Sequence, residues 1–186
     1  KATGEGVPAD TKIVSDGGGG SENFRRPPCS FTDDEDREIE VRRFENDTDA
    51  LVEMYNQMAP SDRSQGIPPR TESRRESWVE TLTGGGMNVV AWHGEDAVGH
   101  AVLMPMEDER WELAIFVRSD YQHAHIGSNL IECLLGWGQE DGIETVWLSV
   151  ERWNKPAIGL YEKLGFEISN SESFEMEMNA RIATEN

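Results

Sequence analysis

Residues Trp111–Gly142 read WELAIFVRSDYQHAHIGSNLIECLLGWGQEDG, and this stretch sets the fold. Trp111–Val117 is a compact apolar run of strand length. A short polar turn follows, and then a periodic apolar segment, Ile126–Glu140, that stops at Gly142. A strand that delivers backbone N–H groups to a helix N-terminus is a ready anion site, because the first amides of a helix have no intrahelical acceptor.

Working outward, the segments before and after alternate between strand and helix. Ile39, Val41 and Phe44 give near-alternation and a first strand, and Ala50, Leu51, Met54, Tyr55 and Met58 recur at helical spacing behind an Asn46–Asp47 cap. Ser61–Arg70 is a Gly- and Pro-marked loop, and Thr71–Thr83 a second helix. Asn88–Trp92, Ala97–Met104 and Trp111–Val117 follow at hairpin spacing, which predicts an antiparallel meander. After the helix come the strand Thr145–Val150, the helix Lys155–Leu164 with Pro156 in its first turn, and two closing strands, Phe166–Ile168 and Phe174–Met178. The predicted order is β-α-α-β-β-β-α-β-α-β-β. It makes an α/β (α+β) mixed sheet flanked by helices, with a parallel crossover between Trp111 and Val150.

Composition limits what such a domain does. The 186 residues carry 36 acidic and 17 basic side chains, a net charge of −19, which argues against a nucleic-acid partner. The only lysines are Lys1, Lys12, Lys155 and Lys163. An acidic, lysine-poor surface resembles that of proteins from halophilic organisms, where molar salt shortens the Debye length to roughly 3 Å and mutes self-repulsion. No apolar run approaches roughly 18 residues, so no membrane span is expected. The two cysteines, Cys29 and Cys133, are read as unpaired, Cys133 as a small buried hydrophobe, and a reducing cytoplasm fits that. No His/Cys/Asp spacing suggests a metal site. Residues 1–36 combine a four-glycine run with Pro27–Pro28 and an acidic cluster and are expected to form a flexible tail, in which Phe24 or Phe31 can dock locally. The folded domain is expected over 37–180, with a short C-terminal tail at 181–186.

Two motifs give the order a family. Gln122-His123-Ala124-His125-Ile126-Gly127-Ser128 is similar to the Gln/Arg-x-x-Gly-x-Gly/Ala pattern of the GNAT superfamily of acetyl-CoA-dependent N-acetyltransferases, matching at Gln122, Ile126 and Gly127. Asn154 through Phe166, NKPAIGLYEKLGF, resembles that family's N-x-x-A-x-x-L-Y-x-x-x-G-F closely. The resemblance covers roughly Arg37 to Asn179. It implies that the backbone of Gln122–Ser128 cradles the pyrophosphate of coenzyme A, that Phe116 and Val117 present backbone to its pantetheine arm, and that Asn154 touches the cofactor or caps its helix. It further implies Tyr161 as the group that assists the departing thiolate and Glu112 as the base for the amine. Asp108, Glu109 and Glu151 are weaker candidates for that base, and each of these side chains also has a purely structural reading. His125 stands where the middle glycine is usual and is expected to hold helical or bridging backbone angles.

The expected activity is acetyl transfer from acetyl-CoA directly to an amine, with a small-molecule amine or amino acid favoured and Arg63 and Arg70 of the Pro-rich loop as candidate acceptor-binding residues. Protein lysine or N-terminal acetylation is the alternative. A non-catalytic acyl-CoA-binding module and a structural homodimer are readings of other classes.

Overall fold

The structure, a computed structural model, describes residues 23–62, 67–171 and 174–184. Eight strands form one sheet: β1 (Cys29–Thr32), β2 (Glu38–Arg43), β3 (Met87–His93), β4 (Asp96–Pro105), β5 (Trp111–Val117), β6 (Thr145–Glu151), β7 (Glu167–Asn170) and β8 (Glu175–Arg181). Four helices pack on it: α1 (Thr48–Asn56), α2 (Glu72–Gly85), α3 (Ile126–Glu140) and α4 (Lys155–Lys163). From β2 onward the order is the predicted one, and the mixed sheet with flanking helices is as expected.

Strands lie in the order β1-β2-β3-β4-β5-β6-β8-β7, all neighbours antiparallel except β5 and β6. Each face carries its own apolar layer. Leu113, Ile115 and Val117 pack with Ile126, Leu130, Leu134, Leu160 and Tyr161 under α3 and α4. Ala114 and Phe116, on the opposite side by strand alternation, pack with Leu51, Tyr55, Trp78 and Val79 under α1 and α2. Both faces being covered explains the unbroken apolar reading of β3 and β4.

The described part of the expected N-terminal tail is ordered against the domain. β1 pairs with β2 from Cys29↔Val41 to Thr32↔Glu38. Phe24 is buried in the α3-side core, its amide donates to Gln139 Oε1 at 3.0 Å, and Arg25 reaches Glu132 and Asn129 of α3. Gly136 makes that contact possible, since a Cβ there would lie 1.8 Å from the Arg25 carbonyl oxygen. The expectation of unpaired cysteines is corrected in the same place: Cys29 and Cys133 form a disulfide that fastens β1 to the middle of α3. The sequence separation of 104 concealed the pairing. The chain past Arg181 is likewise not a free tail over its described residues, because Ile182 is buried and its carbonyl accepts from Gln139 Nε2 at 2.9 Å. Residues 1–22, the larger part of the expected tail, lie outside the described residues. No helix among the described residues is long and apolar enough to cross a membrane.

Candidate functional site

β5 and β6 touch as parallel strands only at Trp111↔Val146 and Glu112↔Trp147, and beyond that pair they separate. On their outer sides both remain fully paired, β5 with β4 from Trp111 to Val117 and β6 with β8 from Thr145 to Glu151. The sheet therefore opens between Leu113–Val117 and Leu148–Glu151. Arg118 N–H donates to Val98 O at 2.8 Å. In an antiparallel ladder that sends the backbone groups of Val117, Ile115 and Leu113 the other way, into the opening. Phe116 was expected to offer backbone there. The register turns it toward β4, and Ile115, which the sequence reading missed, takes its place beside Val117.

The opening leads to the turn before α3. A 3-10 turn, Ser119–Tyr121, precedes Gln122, and α3 begins at Ile126 with His125 as its N-cap. The first-turn amides of Ile126, Gly127 and Ser128 have no intrahelical acceptor by helix geometry. His123 and His125 both have left-handed backbone, φ 61° and 68°. The expectation of helical or bridging angles for His125 is overturned: it adopts the conformation a glycine takes there at no steric cost. Neighbours hold it. Ser128 Oγ and Asn129 Nδ2 donate to the His125 carbonyl at 2.9 and 2.8 Å. His125 Nδ1 lies against the Asp34 carboxyl, and the Asp34 amide lies 3.4 Å from the Ala124 carbonyl oxygen.

Within the predicted cofactor turn, side chains serve as braces, and Asn154 takes the helix-capping role of its two expected ones. Gln122 Nε2 donates to Val117 O at 3.0 Å and to Asp62 Oδ1 at 3.1 Å. The Ser128 hydroxyl is turned onto the His125 carbonyl. Asn154 accepts from the Ala157 amide at 3.4 Å and so caps α4. What the turn presents to an anion is backbone, with His123 exposed beside it.

Glu112 sits at the closed end of the opening, exposed on the α1–α2 face, and partial burial raises its carboxyl above the ordinary glutamate value. Tyr161 is buried on the other face against Phe166, with ring centroids 5.8 Å apart, and burial pushes its phenol well above the ordinary value. The two lie on opposite faces of the sheet. Asp108 is paired with Arg110; desolvation pushes its carboxyl up, but the hydrogen bonds and charge of Arg110 together outweigh it and hold the carboxyl below the usual value.

A cavity of about 470 Å³ lies above the α1–α2 face, lined by Tyr55, Met58, Pro60, Pro68, Pro69, Arg70 and Arg75. Arg75 is spent on Asn56 Oδ1 and the Pro69 and Arg70 carbonyls. Arg70 is exposed, and Arg63 lies outside the described residues. Tyr55 packs on Phe116 of β5, centroids 5.5 Å apart, so the cavity adjoins the strand that borders the opening. Beneath it runs a buried polar chain. Asn88 donates its Nδ2 to Leu82 O and Gly86 O, which leaves Oδ1 to accept from His100 Nε2 at 2.7 Å. His100 Nδ1 therefore accepts from the Tyr55 hydroxyl at 2.6 Å. Burial pushes the imidazole down to about 3 and keeps it neutral. No group of three or more potential metal ligands occurs among the described residues.

Known proteins resemble this chain in sequence or in fold. The [Ribosomal protein bS18]-alanine N-acetyltransferase of Escherichia coli strain K12 is 39% identical over 66 residues, 36% of this chain and 45% of that protein. The chain thus spans under half the length of that curated relative. Among solved structures, the GNAT domain of S. lividans PAT superposes with a TM-score of 0.72 at 15% identity, covering 83% of this chain and 96% of that one. PaiA N-acetyltransferase from Thermoplasma acidophilum, solved with coenzyme A, superposes at 0.58 and 19% identity over 77% of this chain and 98% of that one. The model of the acetyltransferase (GNAT) family matches residues 48–166, a span that holds the parted strands, the amide turn and the capped helix, and the chain belongs to that family of acyltransferases.

Proposed function

We propose that the protein is an N-acetyltransferase that moves the acetyl group of acetyl-CoA directly to an amine, a small-molecule amine or amino acid first of all. The observation that carries this reading is the opening between β5 and β6, continuous with the amide turn at the start of α3. The turn's backbone amides suit a pyrophosphate, and the edge groups of Ile115 and Val117 suit an amide-bearing arm lying alongside as an added strand.

In this reading the amine nitrogen attacks the thioester carbonyl carbon, the C–N bond forms, and the C–S bond breaks. No acyl-enzyme on sulfur forms, because both cysteines are held in the disulfide. Glu112, on the α1–α2 face, takes the amine proton itself or through water, and its raised carboxyl is suited to that. Tyr161, on the α3–α4 face, keeps its proton at any working pH and donates a hydrogen bond to the departing thiolate, and the proton taken up by Glu112 leaves through solvent. Proton removal and thiolate stabilisation are thereby kept on opposite sides of the sheet.

The cavity over Tyr55 receives the acceptor. Its walls of Met58, Pro60, Pro68 and Pro69 suit an apolar body. Arg70 at its edge makes no ion pair among the described residues and suits a carboxylate. An apolar α-amino acid combines both. Protein N-terminal or lysine acetylation is the second reading, favoured by the likeness to the bS18-alanine enzyme.

A thiol-release screen with acetyl-CoA, in low and molar salt, tests both readings. L-methionine, L-leucine, their amides, polyamines, and alanine- and lysine-terminated peptides serve as acceptors. Release with the free amino acids and not with their amides is the expected result. Release with peptides alone supports the second reading. Tight acetyl-CoA binding with release on no amine overturns the enzyme in favour of a non-catalytic acyl-CoA-binding module.

A further inference from the structure

The loop after α1 closes in a 3-10 turn, Pro60–Asp62, whose last side chain points inward. Asp62 is 6% exposed. Its Oδ1 accepts from Gln122 Nε2 at 3.1 Å. Its Oδ2 accepts from the Ala59 amide at 3.2 Å and from the Ser119 hydroxyl. Ala59 N–H also lies 3.3 Å from Ser119 Oγ, and Gln122 Nε2 continues to Val117 O at 3.0 Å.

One carboxylate thus joins three pieces, the first of them about 60 residues from the other two in the chain. They are the loop whose Pro60 lines the cavity, the 3-10 turn that leads into the amide turn, and the end of β5. Among the described residues its partners are all neutral donors. Hydrogen bonds from neutral donors do little more than offset the desolvation of a buried polar group, and what these contacts fix is the geometry of the three pieces.

We propose that Asp62 is a positioning residue: it fixes the amide turn and the Val117 end of β5 against the acceptor cavity. Acetyl-CoA affinity then depends on a side chain that never touches the cofactor. This rests on the reading above that coenzyme A occupies the turn.

Calorimetric titration with coenzyme A tests it on the full chain and on the variants Asp62→Ala, Asp62→Asn, Gln122→Ala and the Asp62→Ala/Gln122→Ala double. Asp62→Ala and Gln122→Ala should each weaken binding about tenfold. The double should be no weaker than the weaker single, since both break one linkage. Asp62→Asn, which keeps one acceptor oxygen, should fall between. Should Asp62→Ala fail to fold, Ser119→Ala carries the same comparison with an expected loss of about threefold.

Coenzyme A binding within twofold of wild type in Asp62→Ala (or in Ser119→Ala where it stands in) overturns the proposal while leaving the acetyltransferase reading intact. So do losses that multiply in the double variant. A wild-type chain that does not bind coenzyme A overturns both.

Discussion

Glu112 stands opposite Trp147 in the last parallel pair before β5 and β6 part. A carboxylate at the apex of the opening is held there by the ladder rather than by a flexible loop, which suits a group that must meet a proton at a fixed place. Its raised carboxyl has a kinetic consequence. A base works only when deprotonated, so kcat/KM should rise with pH through an apparent pKa above the ordinary glutamate value of 4.5. Glu112→Gln should lower kcat by about 10²-fold and remove that acid limb. A pH–rate profile unchanged by the substitution would assign the proton to another group.

For Tyr161, the outcome separates chemistry from binding. Tyr161→Phe removes one oxygen from a buried ring and leaves its packing on Phe166 in place. Turnover should fall about 10²-fold while coenzyme A affinity stays within about twofold. Equal losses in both would reduce Tyr161 to a packing residue.

Acid should destabilise the fold through His100. The unfolded imidazole takes a proton below about 6.5, and the folded one resists until about 3. Between those values the unfolded chain binds more protons, so stability falls as pH falls. From pH 6.5 to 5 the contribution is about 2 kcal/mol. Urea denaturation across that range should show a shallower pH dependence in His100→Gln than in wild type. Parallel slopes would contradict the neutral assignment.

The Cys29–Cys133 bond closes a loop of 104 residues in sequence. Chain entropy alone gives about 4.7 kcal/mol for a loop of that size, and crosslinks typically deliver about 2–4 kcal/mol. Cys29→Ser should lower the unfolding free energy by about that amount, and reduced wild type should unfold with the variant. Oxidised and reduced wild type unfolding at the same urea concentration would sink the estimate.

Most of the sheet and all four helices were legible, since apolar periodicity and Gly/Pro punctuation are local signals. β5 and α3 were read with their ends in place. The segment Phe24–Thr32 was not, because its order comes from distant partners: Gly136 leaves it room, Gln139 and Glu132 receive it, and Cys133 binds it. His125 was misread for a similar reason. Its left-handed backbone is unfavourable by intrinsic preference and is held by Ser128, Asn129 and Asp34. The burial of Asp62 left no trace in the sequence, because a single acidic residue in a Gly- and Pro-marked loop reads as solvated. Ile115 could have been found, since β-alternation alone puts it in phase with Val117.

The disulfide also decides how turnover is to be read. With Cys29 and Cys133 joined, the chain has no sulfhydryl of its own. Every sulfhydryl that appears in a reaction mixture then originates from spent acetyl-CoA, and a colorimetric sulfhydryl reagent counts catalytic events one for one against a blank of zero. Adding dithiothreitol to such a mixture would swamp that signal and cut the tie between β1 and α3 in one step. Preparation and assay therefore belong in non-reducing buffer.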